Sequence, residues 1–113
     1  MAEEGSNWSA GQRQLLCLAR ASLRSAVLVL SDEATSSCDA ETDAAMQTAM
    51  RSAFKGATVI TVAHRLGTVA DSDALMVLSA GRLVELGHPS VLAAKRGGFY
   101  AALLEESRRE HAA

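Results

Sequence analysis

Three features of the sequence predict an α/β fold. Val27–Leu30 and Ala57–Ala63 are short runs that are apolar or β-branched throughout rather than alternating, which suits strands buried on both faces of a parallel sheet. The stretch between them carries apolar residues at helical period, so strand, helix and strand follow within about forty residues, the span of a βαβ unit. Further on, two more apolar runs flank Ser79-Ala80-Gly81 and read as an antiparallel hairpin.

The elements follow in order. Ser9 is a good N-cap, with Gln12 three residues on as in a capping box, and the first helix should run through Gly11–Ser25. Leu15, Leu18, Ala19, Ser22 and Leu23 form one stripe expected to face the core, with Gln12, Arg13, Arg20 and Arg24 away from it. Val27–Leu30 is then a strand apolar at every position. After the small, hydroxyl-rich loop Ala34–Cys38, Asp39 is placed to cap a helix over Ala40–Phe54 whose apolar positions are Met46, Ala49, Met50 and Ala53. Gly56 ends it, and a second buried strand follows. A helical turn at Leu66–Ala70 leads into a third strand, Ala74–Leu78, and its hairpin partner Arg82–Leu86. Pro89 suits the first position of a short helix reaching Ala94, and Gly97-Gly98 precede a last helix from Phe99 anchored by Leu103 and Leu104.

A chain of 113 residues is expected to be one domain, and no linker or repeat marks an interior boundary. With 49% hydrophobic and 21% charged residues it has a globular balance. The net charge is −2 and the aromatics are only Trp8, Phe54, Phe99 and Tyr100, which disfavours a basic, aromatic-lined groove and hence nucleic acid as a partner. Cys17 and Cys38 lack metal-ligand spacing, and Cys17 reads as a small buried hydrophobe. Two reduced cysteines suit the cytosol. No apolar stretch approaches the roughly 18 residues that span a bilayer, and the acidic start Met1-Ala2-Glu3-Glu4 is no signal peptide.

Chemistry is concentrated at Asp32-Glu33, which closes the first strand. Carboxylates at the end of a buried strand suit a metal and a water beside a phosphate chain, with Asp32 holding Mg²⁺ through water and Glu33 polarising the attacking water. General-base positioning of that kind is worth about 10²–10⁴-fold in rate. The alternative is a helix cap or a solvated loop pair. Parallel strands joined by a crossover bring the pair and His64, which follows the next strand, to one sheet edge, where open α/β folds bind ligands. His64 could hydrogen-bond a terminal phosphate or be merely structural. Ser9-Ala10-Gly11-Gln12 opens a helix whose N–H groups favour an anion, although Ser-capped helices are common. Trp8 reads as a hydrophobic anchor at the entry to that helix. His88 and His111 read as surface residues.

In order and spacing these motifs resemble the C-terminal half of an ABC-transporter nucleotide-binding domain. Trp8-Ser9-Ala10-Gly11-Gln12 is similar to the ABC signature, Leu28–Asp32 with Glu33 to the Walker B strand and its catalytic glutamate, Ser36-Ser37-Cys38-Asp39 to the D-loop, and His64 to the switch histidine. Gly11–Ala21, Asp32–Thr35, Ala63–Leu66, Asp71–Asp73 and Gly81–Glu85 extend the likeness over nearly the whole chain, most of all to the multidrug-resistance-associated (C) subfamily of exporters. Trp8, Ala10, Ser31 and Cys38 depart from the usual residues of these motifs.

The resemblance implies a partial P-loop NTPase (RecA-like) core, with flanking helices and a C-terminal hairpin, lacking the P-loop strand. It implies ATP and Mg²⁺ as cofactors and, as partners, a second nucleotide-binding domain and a transmembrane domain. It places Glu33 and His64 in catalysis and Asp32 at Mg²⁺. Ser9, Gly11 and Gln12 would meet ATP held by the opposite domain, with Asp39 in the D-loop. The setting is a membrane transporter's cytoplasm-facing domain. No G-x-x-x-x-G-K-[ST] occurs anywhere in the sequence. The expectation is therefore the C-terminal portion of one ATPase domain over residues 1–113, cut from a longer frame and inactive alone. The alternative is a non-catalytic fragment presenting the signature in trans. Poor solubility is expected too, from an unpaired apolar edge beside Val27–Leu30.

Overall fold

The computed structural model describes residues 9–32 and 40–112. They form a mixed α/β structure that divides into two compact units, the first ending at Val62 and the second beginning at Ala63, with no linker composition at the junction. Met46, Phe54, Leu92 and Tyr100 are the buried hydrophobic side chains among the described residues, two in each unit.

The first unit holds α1 (Ala10–Ser22), β1 (Leu28–Asp32), α2 (Ala40–Ala53) and β2 (Thr58–Val62). As the βαβ pattern requires, β1 and β2 pair in parallel, in register from Leu28 with Thr58 to Asp32 with Val62. Three expectations for α1 fail here. α1 stops at Ser22 rather than Ser25, with Leu23 as its C-cap, because Ser25 has a left-handed φ of 50° that no helix can contain. Its inward face is also rotated from the expected stripe. Leu15, Ala19, Ser22 and Leu23 are exposed, whereas Gln14, Leu18 and Ala21 are half-buried and share a cavity with Met46, Met50 and Phe54. Apolar residues line α1 on overlapping stripes, and contact with α2 selects the one carrying the small Ala21. Cys17, expected to be buried, is exposed on that cavity.

The strands are not buried either. Leu28, Leu30 and Asp32 of β1 are exposed, Leu30 by 75%, and only Val29 and Ser31 are half-covered. Every residue of β2 is exposed. A parallel sheet needs layers on both faces, and among the described residues this sheet has two strands and two outer edges. The uniformly apolar sequence is thus suited to a burial that the first unit does not itself provide.

The second unit holds α3 (Leu66–Ala70), β3 (Leu75–Ser79), β4 (Arg82–Gly87), α4 (Pro89–Ala93) and α5 (Phe99–Ala112). The antiparallel hairpin β3–β4 turns through Ala80-Gly81, both with positive φ (49° and 75°), as a two-residue type I′ loop demands. Alanine is poorly suited to that region. Ala80→Asn is therefore expected to raise the stability of this unit by up to about 1 kcal/mol, seen as a higher urea midpoint at unchanged slope. A lower midpoint would contradict the turn assignment. The pairing skips a residue between Leu83 and Glu85, opposite Leu78 and Val77, so Val84 is bulged. Val84 and Glu85 can then both turn inward, which strict alternation forbids.

Pro89 opens α4 as expected, and His88, read from sequence as a plain surface residue, is exposed and also its cap, accepting at Nδ1 from the Ser90 N–H at 3.2 Å. Leu103 was expected to anchor α5 but is exposed. Tyr100, Leu104 and Ser107, spaced i, i+4 and i+7, form the inward face instead, and Leu103 sits about 100° around the helix from Leu104.

Candidate functional site

The helix start at Ser9 has the expected geometry. The Gln12 N–H donates to Ser9 Oγ at 3.1 Å, and the Ser9 N–H donates to Gln12 Oε1 at 2.9 Å, closing a capping box. The Arg13 N–H reaches the Ser9 carbonyl at 2.9 Å. The N–H groups of Ala10 and Gly11 are left as those without an intrahelical acceptor, and the Ser9 hydroxyl keeps a proton to donate while its oxygen accepts. The box thus fixes Ser9 at the positive end of α1 in a pose that suits an anion. Gly11 is buried and Gln12 exposed, its side chain engaged in the cap.

Asp32 ends β1 beside its register partner Val62, so both parallel strands deliver the chain to the same sheet edge. Its carboxylate is exposed and lines one part of a cavity of about 230 Å³ that runs beneath α1 and α2 past Ser31, Cys17 and Leu18 to Met46 and Phe54. Among the described residues no group of three or more His, Cys, Asp or Glu side chains could hold a metal ion. Asp32 as the one carboxylate described at this strand end does not make a zinc or calcium cage. It does fit Mg²⁺, which keeps several waters and takes further ligands from phosphates.

Of the other expected site residues, Glu33 and Asp39 lie outside the described residues, as do Trp8 and Cys38. His64 is exposed at a bend before α3 and belongs to the second unit. The structure therefore gives geometry to the cap at Ser9 and the strand end at Asp32, each within the first unit.

Glu85 was missed by sequence reasoning as anything more than a hairpin residue. It is buried in the second unit and accepts from the Phe99 and Tyr100 backbone N–H groups at 2.9 and 3.1 Å. A signal for it did exist. Gly97-Gly98 offer α5 no capping side chain, so its first N–H groups had to find an acceptor elsewhere.

No protein-family model matches the chain. It is 54% identical over 98 residues, 87% of its length, to ATP-binding cassette sub-family C member 2 of Rattus norvegicus. It is 45% identical over 113 residues, all of its length, to ATP-binding cassette sub-family C member 4 of Homo sapiens. The chain spans only 6% and 8% of those proteins. Among solved structures, a bacterial Atm1-family ABC exporter with ATP bound matches 94% of this chain at a TM-score of 0.85 and 37% identity, the match covering 18% of the exporter chain. Over the segment that it shares with them, this chain is a homologue of ABC transporters of sub-family C.

Proposed function

We propose that residues 1–113 are the C-terminal portion of a single ABC ATPase domain, part of an ATP-binding and ATP-hydrolysing module that couples hydrolysis to transport across a membrane. The observation that carries this reading is the 45% identity to a sub-family C transporter over all 113 residues, Ser9, Asp32 and His64 included. The capping box at Ser9 and the shared strand ends at Asp32 and Val62 support it, since each is the geometry such a role needs. In this reading the fold is a partial P-loop NTPase core. Its partners are a second nucleotide-binding domain and a transmembrane domain, with the module on the cytoplasmic side of the membrane. Among the described residues no helix is long and apolar enough to cross a membrane.

The residue roles are those that the resemblance to ABC ATPase domains implies, and the chemistry of the side chains suits them. Ser9, Gly11 and Gln12 present a hydroxyl and the positive end of α1 to the γ-phosphate of an ATP held by the opposite domain. Asp32 would hold Mg²⁺ through one of its waters. When bound, that ion would neutralise charge on phosphate oxygens. Glu33 orients and deprotonates the attacking water, and His64 donates a hydrogen bond to the terminal phosphate. Asp39 lies in the D-loop at the domain–domain contact. Because the sequence has no G-x-x-x-x-G-K-[ST], nothing in it grips the β- and γ-phosphates, and the chain alone is inactive. A second reading, a non-catalytic fragment that presents only the signature in trans, is favoured by one observation: the box at Ser9 is complete within four consecutive residues.

The test is ATP turnover at saturating Mg-ATP. The purified chain is expected to show none, and turnover sensitive to Glu33→Gln would contradict its inactivity. Mixed with a separately produced first half of a sub-family C domain that carries the phosphate loop, it is expected to hydrolyse ATP. Glu33→Gln should then cut the rate about 10²–10⁴-fold. Turnover indifferent to Glu33→Gln, or none at all, would leave the presenting fragment as the better reading.

A further inference from the structure

α5 is fastened to its unit by little. Of its fourteen residues only Tyr100 is buried, at 3% exposure, and its charged end carries Glu105, Glu106, Arg108, Arg109 and Glu110. The second fastening is Glu85 on β4. Its carboxylate accepts two backbone N–H groups at the start of α5, one on each oxygen, and lies 3.7 Å from Lys95 Nζ. The carboxylate side chain is 1% exposed and that of Lys95 is 59% exposed, so the backbone bonds rather than the ion pair hold it. Gly98 leaves the room: a Cβ there would come within 2.7 Å of Glu85 Oε1.

We propose that Glu85 is a proton-controlled latch, whose ionised carboxylate clasps α5 to the β3–β4 hairpin and whose protonation releases the helix while the hairpin stays paired. A protonated carboxyl has lost its charge for the helix's positive end and one of its strong acceptor oxygens. Beyond Tyr100 and the half-buried Leu104 and Ser107, α5 buries little of its surface, so the clasp supplies a large share of what holds its first turn to the hairpin. The groups facing Glu85 from the surrounding elements are few. Lys95, in the segment between α4 and α5, is the facing charge. α5 brings the Phe99 and Tyr100 N–H groups, β3 sets uncharged Val77 opposite in register, and α4 is uncharged between its cap His88 and Ala93.

The sign is set by the direction in which the site moves the carboxyl. The Tyr100 N–H, then the Phe99 N–H and Lys95, hold Glu85 below its ordinary value of 4.5 against the opposing effect of burial. The clasp is therefore complete above pH 4.5 and weakens as pH falls from there through the folded value.

Amide hydrogen exchange followed by NMR on the full chain, from pH 7 downward, tests this. Below pH 4.5 the α5 amides are expected to lose protection progressively as pH falls, after correction for intrinsic rates, while β3–β4 amides keep theirs. Glu85→Gln should show the weakened α5 at pH 7 with no further acid step. In the unaltered chain the Glu85 side-chain carboxyl carbon shift should titrate together with α5 opening. Hairpin and helix amides opening together, a Gln variant that still shows the acid step, or a carboxyl titration displaced from the opening would each overturn the latch.

Discussion

Met46→Ala lowers the stability of the first unit by about 2–5 kcal/mol, the range for truncating a buried Met. Met46 is 1% exposed and is the largest fully buried side chain among the described residues. Small domains have only about 5–15 kcal/mol in total, and this unit already leaves its strands exposed, so the change is expected to unfold it at room temperature. Met46 also borders the cavity under α1 and α2. The space left by truncation joins an existing opening, so the surroundings cannot close over it. Exchange of the β1 and β2 amides reads the result directly. Met46→Leu, which nearly conserves volume, should cost less than about 1.5 kcal/mol. A loss below that value for the alanine variant would show that Met46 is not the core of this unit.

Gly98→Ala is expected to be the most damaging single-methyl addition in the second unit, at about 1–3 kcal/mol. Its Cβ would meet Glu85 Oε1 at 2.7 Å and the Lys95 carbonyl at 3.2 Å. Glu85 cannot swing aside without giving up the Phe99 and Tyr100 N–H groups. Gly97→Ala is the control. There the cost is backbone strain at φ 70°, with no atom within 4 Å of the new Cβ. The two mechanisms separate in a double-mutant cycle with Glu85→Ala, measured by thermal melts. Glu85→Ala should relieve most of the Gly98→Ala penalty and none of the Gly97→Ala penalty. Additive costs at Gly98 would refute the clash.

Much of the fold could be read from local signals. Ser9 with Gln12, Pro89, and the Ala80-Gly81 turn each act through their own few residues, so their expected positions were met. The parallel pairing of β1 with β2 followed from the crossover length. What could not be read was which of several apolar residues faces inward. α1 carries Leu15, Leu16 and Leu18, with Leu23 at its C-cap, and its contact with α2 leaves Leu15 and Leu23 outward. The adjacent leucines of α5 posed the same ambiguity, and Tyr100 resolved it.

The candidate site divides the same way. The residue types at Ser9, Asp32, Glu33 and His64, and their order, are properties of the chain, and they alone pointed to phosphate chemistry. Helix caps, strand ends and turn residues are decided within a few positions, because their hydrogen bonds close over short distances. Glu85 shows what only the tertiary structure could decide. A charged residue in a hairpin became the cap of a helix fourteen residues away, because a bulge at Val84 turned it inward and Gly98 left space for it. Long-range satisfaction of buried polar groups depends on where elements pack, and that packing is not written in any one segment.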